Sequence, residues 1–113
     1  KNYDSGDPSF SIKIPVGVGY NSDLDKVEKV VMEVANSLHR SMLEEMNQDA
    51  EPAFKFRGFG QSSIDFMVYF RGNKYGDQNP IIHEFVKRLH RRFNDEGIEI
   101  PFPMRTIINR SEL

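Results

Sequence analysis

Gly17-Val18-Gly19-Tyr20-Asn21-Ser22 lies between an alternating apolar run and an amphipathic one. A dinucleotide-binding turn occupies that place and brings a pyrophosphate onto helix N–H groups. Here Ser22 stands where a third glycine is required, and Asp23 and Asp25 would repel phosphates, so the glycines serve a strand-to-helix turn. Arg57-Gly58-Phe59-Gly60 matches the first half of an RNA-recognition motif, whose aromatics stack bases on an open sheet. Gln61, Ser62, Ser63 and Ile64 follow where apolar or aromatic residues should stand, and the segment falls at a hairpin turn. His83-Glu84 opens like a zinc-protease helix motif, but Lys87 takes the second histidine's place. His83 and His90 are too far apart along one helix to share a metal, and His39 has no companion. Lys87, Arg88, His90, Arg91 and Arg92 read as a solvated helix face, with Glu84 and Arg88 at a favourable spacing. Asp23, Asp25, Glu28 and Glu33 show no pairing that separates an acid from a base. No serine or lysine stands in a nucleophile arrangement. The expectation is no catalytic residue, no cofactor and no metal.

Composition narrows the class further. The chain has 113 residues, 38% hydrophobic and 28% charged, which suits one soluble domain with a real core. A net charge of −2 makes nucleic acid an unlikely partner. The absence of cysteine rules out disulfides, thiolate metal sites and thiol catalysis. No apolar run approaches the roughly 20 residues of a membrane span. The chain starts at Lys1 instead of Met, which suggests a piece of a longer protein.

The elements that must position these residues follow from periodicity. Residues 1–9 are polar and punctuated by Gly and Pro, and read as a linker. Phe10, Ile12, Ile14, Val16, Val18 and Tyr20 alternate with polar or small residues, which predicts a half-buried strand. Pro15 cannot donate to a ladder and places that strand at an edge or a bulge. Ser22 is the expected cap of a first helix, whose stripe is Leu24, Val27, Val31, Val34, Ala35 and Leu38. Residues 39–46 fit either an extension of that helix or a second short one. Phe54 and Phe56, a turn over residues 58–62, and then Ile64, Phe66, Val68 and Phe70 predict an antiparallel hairpin. Asn79-Pro80 reads as the start of a second helix, with stripe Ile82, Phe85, Val86, Leu89 and Phe93 and a stop at Gly97. Ile98-Glu99-Ile100 reads as a last strand of the sheet. The fold class is therefore α+β, a ferredoxin-like βαββαβ sandwich over residues 10–100 with a projecting C-terminal strand.

Pro101 and Pro103 interrupt the apolar ending. A strand over residues 104–108 would be a lone apolar edge. It either pairs with identical strands of other subunits in a barrel or closes back on its own sheet. The first alternative makes Phe102, Met104, Thr106 and Ile108 an oligomer interface.

Three stretches carry a resemblance to a known family. They are Ile14-Pro15-Val16-Gly17-Val18-Gly19-Tyr20-Asn21-Ser22-Asp23-Leu24-Asp25-Lys26-Val27, Phe59-Gly60-Gln61-Ser62-Ser63-Ile64, and Phe93-Asn94-Asp95-Glu96-Gly97-Ile98-Glu99-Ile100-Pro101-Phe102-Pro103. Together they resemble the cytoplasmic C-terminal region of small-conductance mechanosensitive channels. Lys1-Asn2-Tyr3 is similar to the end of the β-domain that precedes this region in the family. The resemblance implies a fragment of a homo-heptamer, joined to the membrane through upstream helices and walling a cytoplasmic vestibule that ions and small osmolytes cross. It implies that residues 101–113 form the inter-subunit barrel strand and tail. The parent would open under membrane tension during osmotic stress, and this part would support assembly and solute filtering. A stand-alone RNA-binding module on the same fold is the alternative. The chain departs from common family members mainly over residues 38–51.

Overall fold

The computed structural model describes residues 10–101. Its elements run β1 (Phe10–Val18), α1 (Leu24–Ser41), β2 (Ala53–Phe59), β3 (Ile64–Gly72) and α2 (Gln78–Glu96), with a 3-10 turn at Tyr75–Asp77 leading into α2. Among the described residues the sheet has three antiparallel strands in the order β1-β3-β2. The linker expected at residues 1–9 and the strand expected at residues 104–108 lie outside the described residues.

Alternation in β3 sets the layering. Ile64, Phe66, Val68 and Phe70 are buried, whereas Asp65, Met67, Tyr69 and Arg71 between them are half-buried on the opposite face. Ile12, Ile14 and Val18 of β1 join the buried face. Phe66 stacks on Phe54 at 4.7 Å, and Phe70 meets Phe85 of α2 edge-on at 5.0 Å. β1 lies at an edge of this sheet, as Pro15 requires.

Both helices cover the buried face. α1 contributes Val27, Val30, Val31, Val34, Ala35 and Leu38. Its cap is Asp23, not the expected Ser22: the Asp23 carboxylate accepts from the N–H groups of Asp25 and Lys26 at 3.1 and 3.3 Å. The helix extends to Ser41, and Met46 then bridges to Gly72, which resolves the ambiguity over residues 39–46. α2 begins at Gln78, before the expected Asn79 cap. Pro80 is thus its third residue, where an N–H has no intrahelical acceptor and its loss costs nothing. Its buried stripe is Ile81, Phe85, Leu89 and Phe93, at four-residue steps. The sequence-based stripe placed Ile82 and Val86 inward, but Val86 is 50% exposed and Ile82 only partly buried. Gly97 closes α2 in the left-handed region at φ 73°, while the Ile98 N–H reaches back to the Phe93 carbonyl at 2.9 Å.

The strand expected at residues 98–100 does not form. These residues run beside the end of β1 with one backbone bond, Gly19 N–H to the Glu99 carbonyl at 3.0 Å. Only three residues separate the Gly97 stop from Pro101, which has no N–H to donate, so no ladder develops. The described residues therefore give an α+β unit without the fourth sheet strand of the expected sandwich.

The two assignments for α2 separate in a stability measurement. Ile81→Ala should cost about 2–5 kcal/mol and Val86→Ala no more than about 0.5 kcal/mol, read from urea unfolding by circular dichroism. The opposite order would restore the sequence-based stripe.

Candidate functional site

None of the motifs that open the sequence assembles into a reaction centre. The carboxylate of Asp23 already occupies N–H groups at the start of α1, where a pyrophosphate would sit. His39 turns Nε2 to the Asn47 carbonyl at 3.1 Å, and His83 and His90 are exposed on α2. Among the described residues no group of three His, Cys, Asp or Glu side chains could hold a metal.

The RNA-like segment is redirected by the backbone. A register shift between Phe56 and Gly58 leaves Arg57 unmatched and puts Gly58 opposite Asp65 and Phe59 opposite Ile64. Directly opposed residues share a face, and Ile64 is buried on the helix side. The bulge thus turns Phe59 away from the open face that base stacking needs. It meets Tyr20 at 6.3 Å between ring centres, and the Tyr20 hydroxyl donates to the Gly60 carbonyl. Gly58 carries φ 145°, a conformation that only glycine adopts easily.

What remains is a surface in two parts. The first is the open sheet face. Lys13 stands opposite Tyr69, Pro15 opposite Met67, and Lys55 opposite Met67 from the other side. Arg57 lines a groove of about 460 Å³ together with Pro15, Asp65, Met67, Ile100 and Pro101, and Lys13 and Lys55 are not part of its lining. Asp65 accepts a hydrogen bond from the Ser63 hydroxyl. Apolar alternation in these strands marks only their buried face and leaves the opposite face unannounced as a surface. The same period of two places Lys13, Lys55 and Arg57 there.

The second part is an ionic network that ties the two helices together. Arg92 of α2 pairs with Glu33 of α1 and, through Nε at 3.1 Å, with Glu96. Lys26 of α1 reaches the Glu96 carboxylate at 3.5 Å and its carbonyl at 3.1 Å. Arg88 and Glu84 pair at 3.3 Å as their spacing predicts. The hydrogen bonds to Glu33 and then to Glu96 raise the Arg92 pKa above its usual value. The hydrogen bond from Arg92 holds Glu96 below the usual glutamate range by outweighing desolvation, with lesser help from the charges of Arg92 and Lys26. Arg92, read from sequence as part of a solvated face, is instead half-exposed and shared between two helices.

Phe102, Met104, Thr106 and Ile108, the expected oligomer interface, lie outside the described residues. Pro101 marks where the described chain ends, beside the groove on the open face.

Glu96 makes the network sensitive to acid. Its contribution is complete above the unfolded glutamate pKa of about 4.3 and is lost as pH falls through the lower folded value. Glu96→Gln should therefore flatten the acid limb of a stability-against-pH curve measured by urea unfolding. An unchanged slope would show the network to be energetically silent.

Comparisons with known proteins agree with this architecture. The family described as mechanosensitive ion channel MscS, C-terminal, matches residues 12–100. The chain is 28% identical over 103 residues to the small-conductance mechanosensitive channel of Edwardsiella ictaluri, covering 91% of this chain and 34% of that protein. It is 29% identical over 101 residues to the mechanosensitive channel MscK of Escherichia coli, covering 89% of this chain and 9% of that protein. Helicobacter pylori MscS, solved in its closed state, superposes with a TM-score of 0.69 at 27% identity, over 84% of this chain and 36% of that one. The chain thus spans about a third of the length of the first relatives it matches.

Proposed function

The chain belongs to the family of MscS C-terminal domains, and from that membership we propose that it is the cytoplasmic vestibule domain of a mechanosensitive ion channel. The observation that carries the reading is the match over residues 12–100, joined by the superposition on Helicobacter pylori MscS. The relatives bear the names of channels, not of enzymes, and no helix among the described residues is long and apolar enough to cross a membrane. The pore and the tension sensor then belong to other segments of the parent. This domain supports assembly of a homo-heptamer and screens the ions and small osmolytes that leave the cell under osmotic stress.

Physical features favour that role over an independent one. The helix layer is closed by the core and by the Arg92 network, whereas no element among the described residues covers the opposite face of the sheet. A domain of this shape can form part of a wall. We place the inter-subunit barrel contacts at Phe102, Met104, Thr106 and Ile108, where an apolar strand beyond Pro101 needs partners. The RNA-binding alternative gains nothing from the structure: Phe59 stays exposed but stands opposite Ile64 of the helix-side face, not on the open sheet face.

Two measurements on the natural full-length protein test this reading. Expressed in a host stripped of its own mechanosensitive channels, it should rescue survival of hypo-osmotic shock. An assembled, membrane-inserted protein that gives neither rescue nor tension-gated current would overturn the channel function. Deleting the residues after Phe102 should weaken the oligomer on native gels. An oligomer that tolerates the deletion with unchanged detergent and heat resistance would remove the barrel assignment alone.

A further inference from the structure

Every ion pair among the described residues lies on the helices, where Lys26, Glu33, Glu84, Arg88, Arg92 and Glu96 neutralise one another. On the sheet side the cations Lys13, Lys55 and Arg57 outnumber the carboxylate of Asp65. Lys13, Lys55 and Arg57 are exposed on the sheet side, without an ion pair among the described residues. The loop between α1 and β2 is their opposite. It contains Glu44, Glu45, Asp49 and Glu51 and has no Lys or Arg between Met42 and Pro52.

This loop is held in place while its charges stay outside. The Asn47 N–H donates to the Arg71 carbonyl at 2.9 Å, and the Asn73 N–H donates to the Glu45 carbonyl at 2.9 Å. The Asn73 side chain adds a bond to the Glu44 carbonyl at 2.9 Å, and Met46 is buried beneath. Glu44, Asp49 and Glu51 are exposed, as is Leu43, at 63%. An anchored backbone that presents carboxylates and one apolar side chain loses little entropy on docking.

We propose that the acidic loop of one copy docks on the basic open sheet face of a second copy. The carboxylates meet Lys13, Lys55 and Arg57, and Leu43 lies over the apolar strip of Pro15 and Met67. This inference rests on reading the chain as part of an oligomeric channel, and it names the surfaces that meet. Charge complementarity selects a second copy as the occupant. Both patches belong to one molecule, and sheet against sheet or loop against loop would set like charges together. The contact is therefore head-to-tail, each copy giving one loop and receiving one, which is the geometry that builds cyclic rings.

Pairs of cysteines test the contact in the natural full-length protein with any native cysteines replaced by serine. Leu43→Cys combined with Lys55→Cys, and separately Asp49→Cys combined with Lys13→Cys, should give a ladder of dimers and higher species on non-reducing gels. Each single substitution should give none. Arg57→Glu should cut ladder yield about threefold or more, and adding Glu44→Arg should restore it. Glutaraldehyde cross-linking of the same samples reports whether an oligomer is present. An oligomer without a ladder from either pair would overturn the docking and leave the channel reading in place. No oligomer at all would overturn both.

Discussion

The alternation of β3 is the constraint on which the rest of the structure depends. Ile64, Phe66, Val68 and Phe70 are buried at every second position, and β3 is paired on both sides. A slip of one residue would drive all four into water and pull Asp65 and Arg71 inside. Both neighbours are therefore fixed in register, and β1 matches Phe10 through Val18 against Gly72 through Ile64 without a gap. The helices only complete what this strand dictates. α1 supplies a narrow row of valines, and α2 supplies the bulkier Ile81, Phe85, Leu89 and Phe93.

β1 and β3 were legible in the sequence because a period of two is unambiguous over nine residues, whereas the three residues 98–100 are too few to carry a period and form no strand. Helix ends and faces were less legible. Ser22 and Asp23 are both good caps, and only the backbone conformation decides that Asp23 accepts the bonds. In α2, Ile81 and Ile82 are adjacent, so a shift of one residue rotates the stripe by about 100°. The tertiary contact of Phe85 with Phe70 selects Ile81. The bulge at Arg57 had a glycine as its signal, yet the same Gly58 fits a turn equally well, and the sequence reading put the turn there.

The candidate surface was harder to see than the core. Apolar periodicity reports what is buried, and the opposite face is known only by subtraction. Lys13, Lys55 and Arg57 are scattered over the chain and come together through the pairing of β1 and β2 with β3. The acidic stretch after α1 looked like an irregular insertion, because nothing in its pattern announces the bonds from Asn47 and Asn73 that hold it. Arg92 was misread for a similar reason. Glu96 lies one turn further along α2, but Glu33 reaches Arg92, and Lys26 reaches Glu96, only once the two helices pack. The family resemblance lies elsewhere, in the strand-to-helix turn, the hairpin loop and the close of α2.

Pro15 also bears on how the chain behaves while it is being made. Among the described residues β1 and β2 are the outer strands of the sheet, and apart from the Gly19 bond to Glu99 each has a row of backbone groups on its outer side. Pro15 breaks the donor row in the middle of β1, and the bulge at Gly58 breaks the regular spacing of β2. Neither edge can template a long, uninterrupted run of pairing with another nascent chain. A proline at such a position is the kind of residue that interrupts edge-to-edge stacking of strands. Wherever two copies of such a sheet come close, an interrupted edge keeps them from polymerising strand to strand.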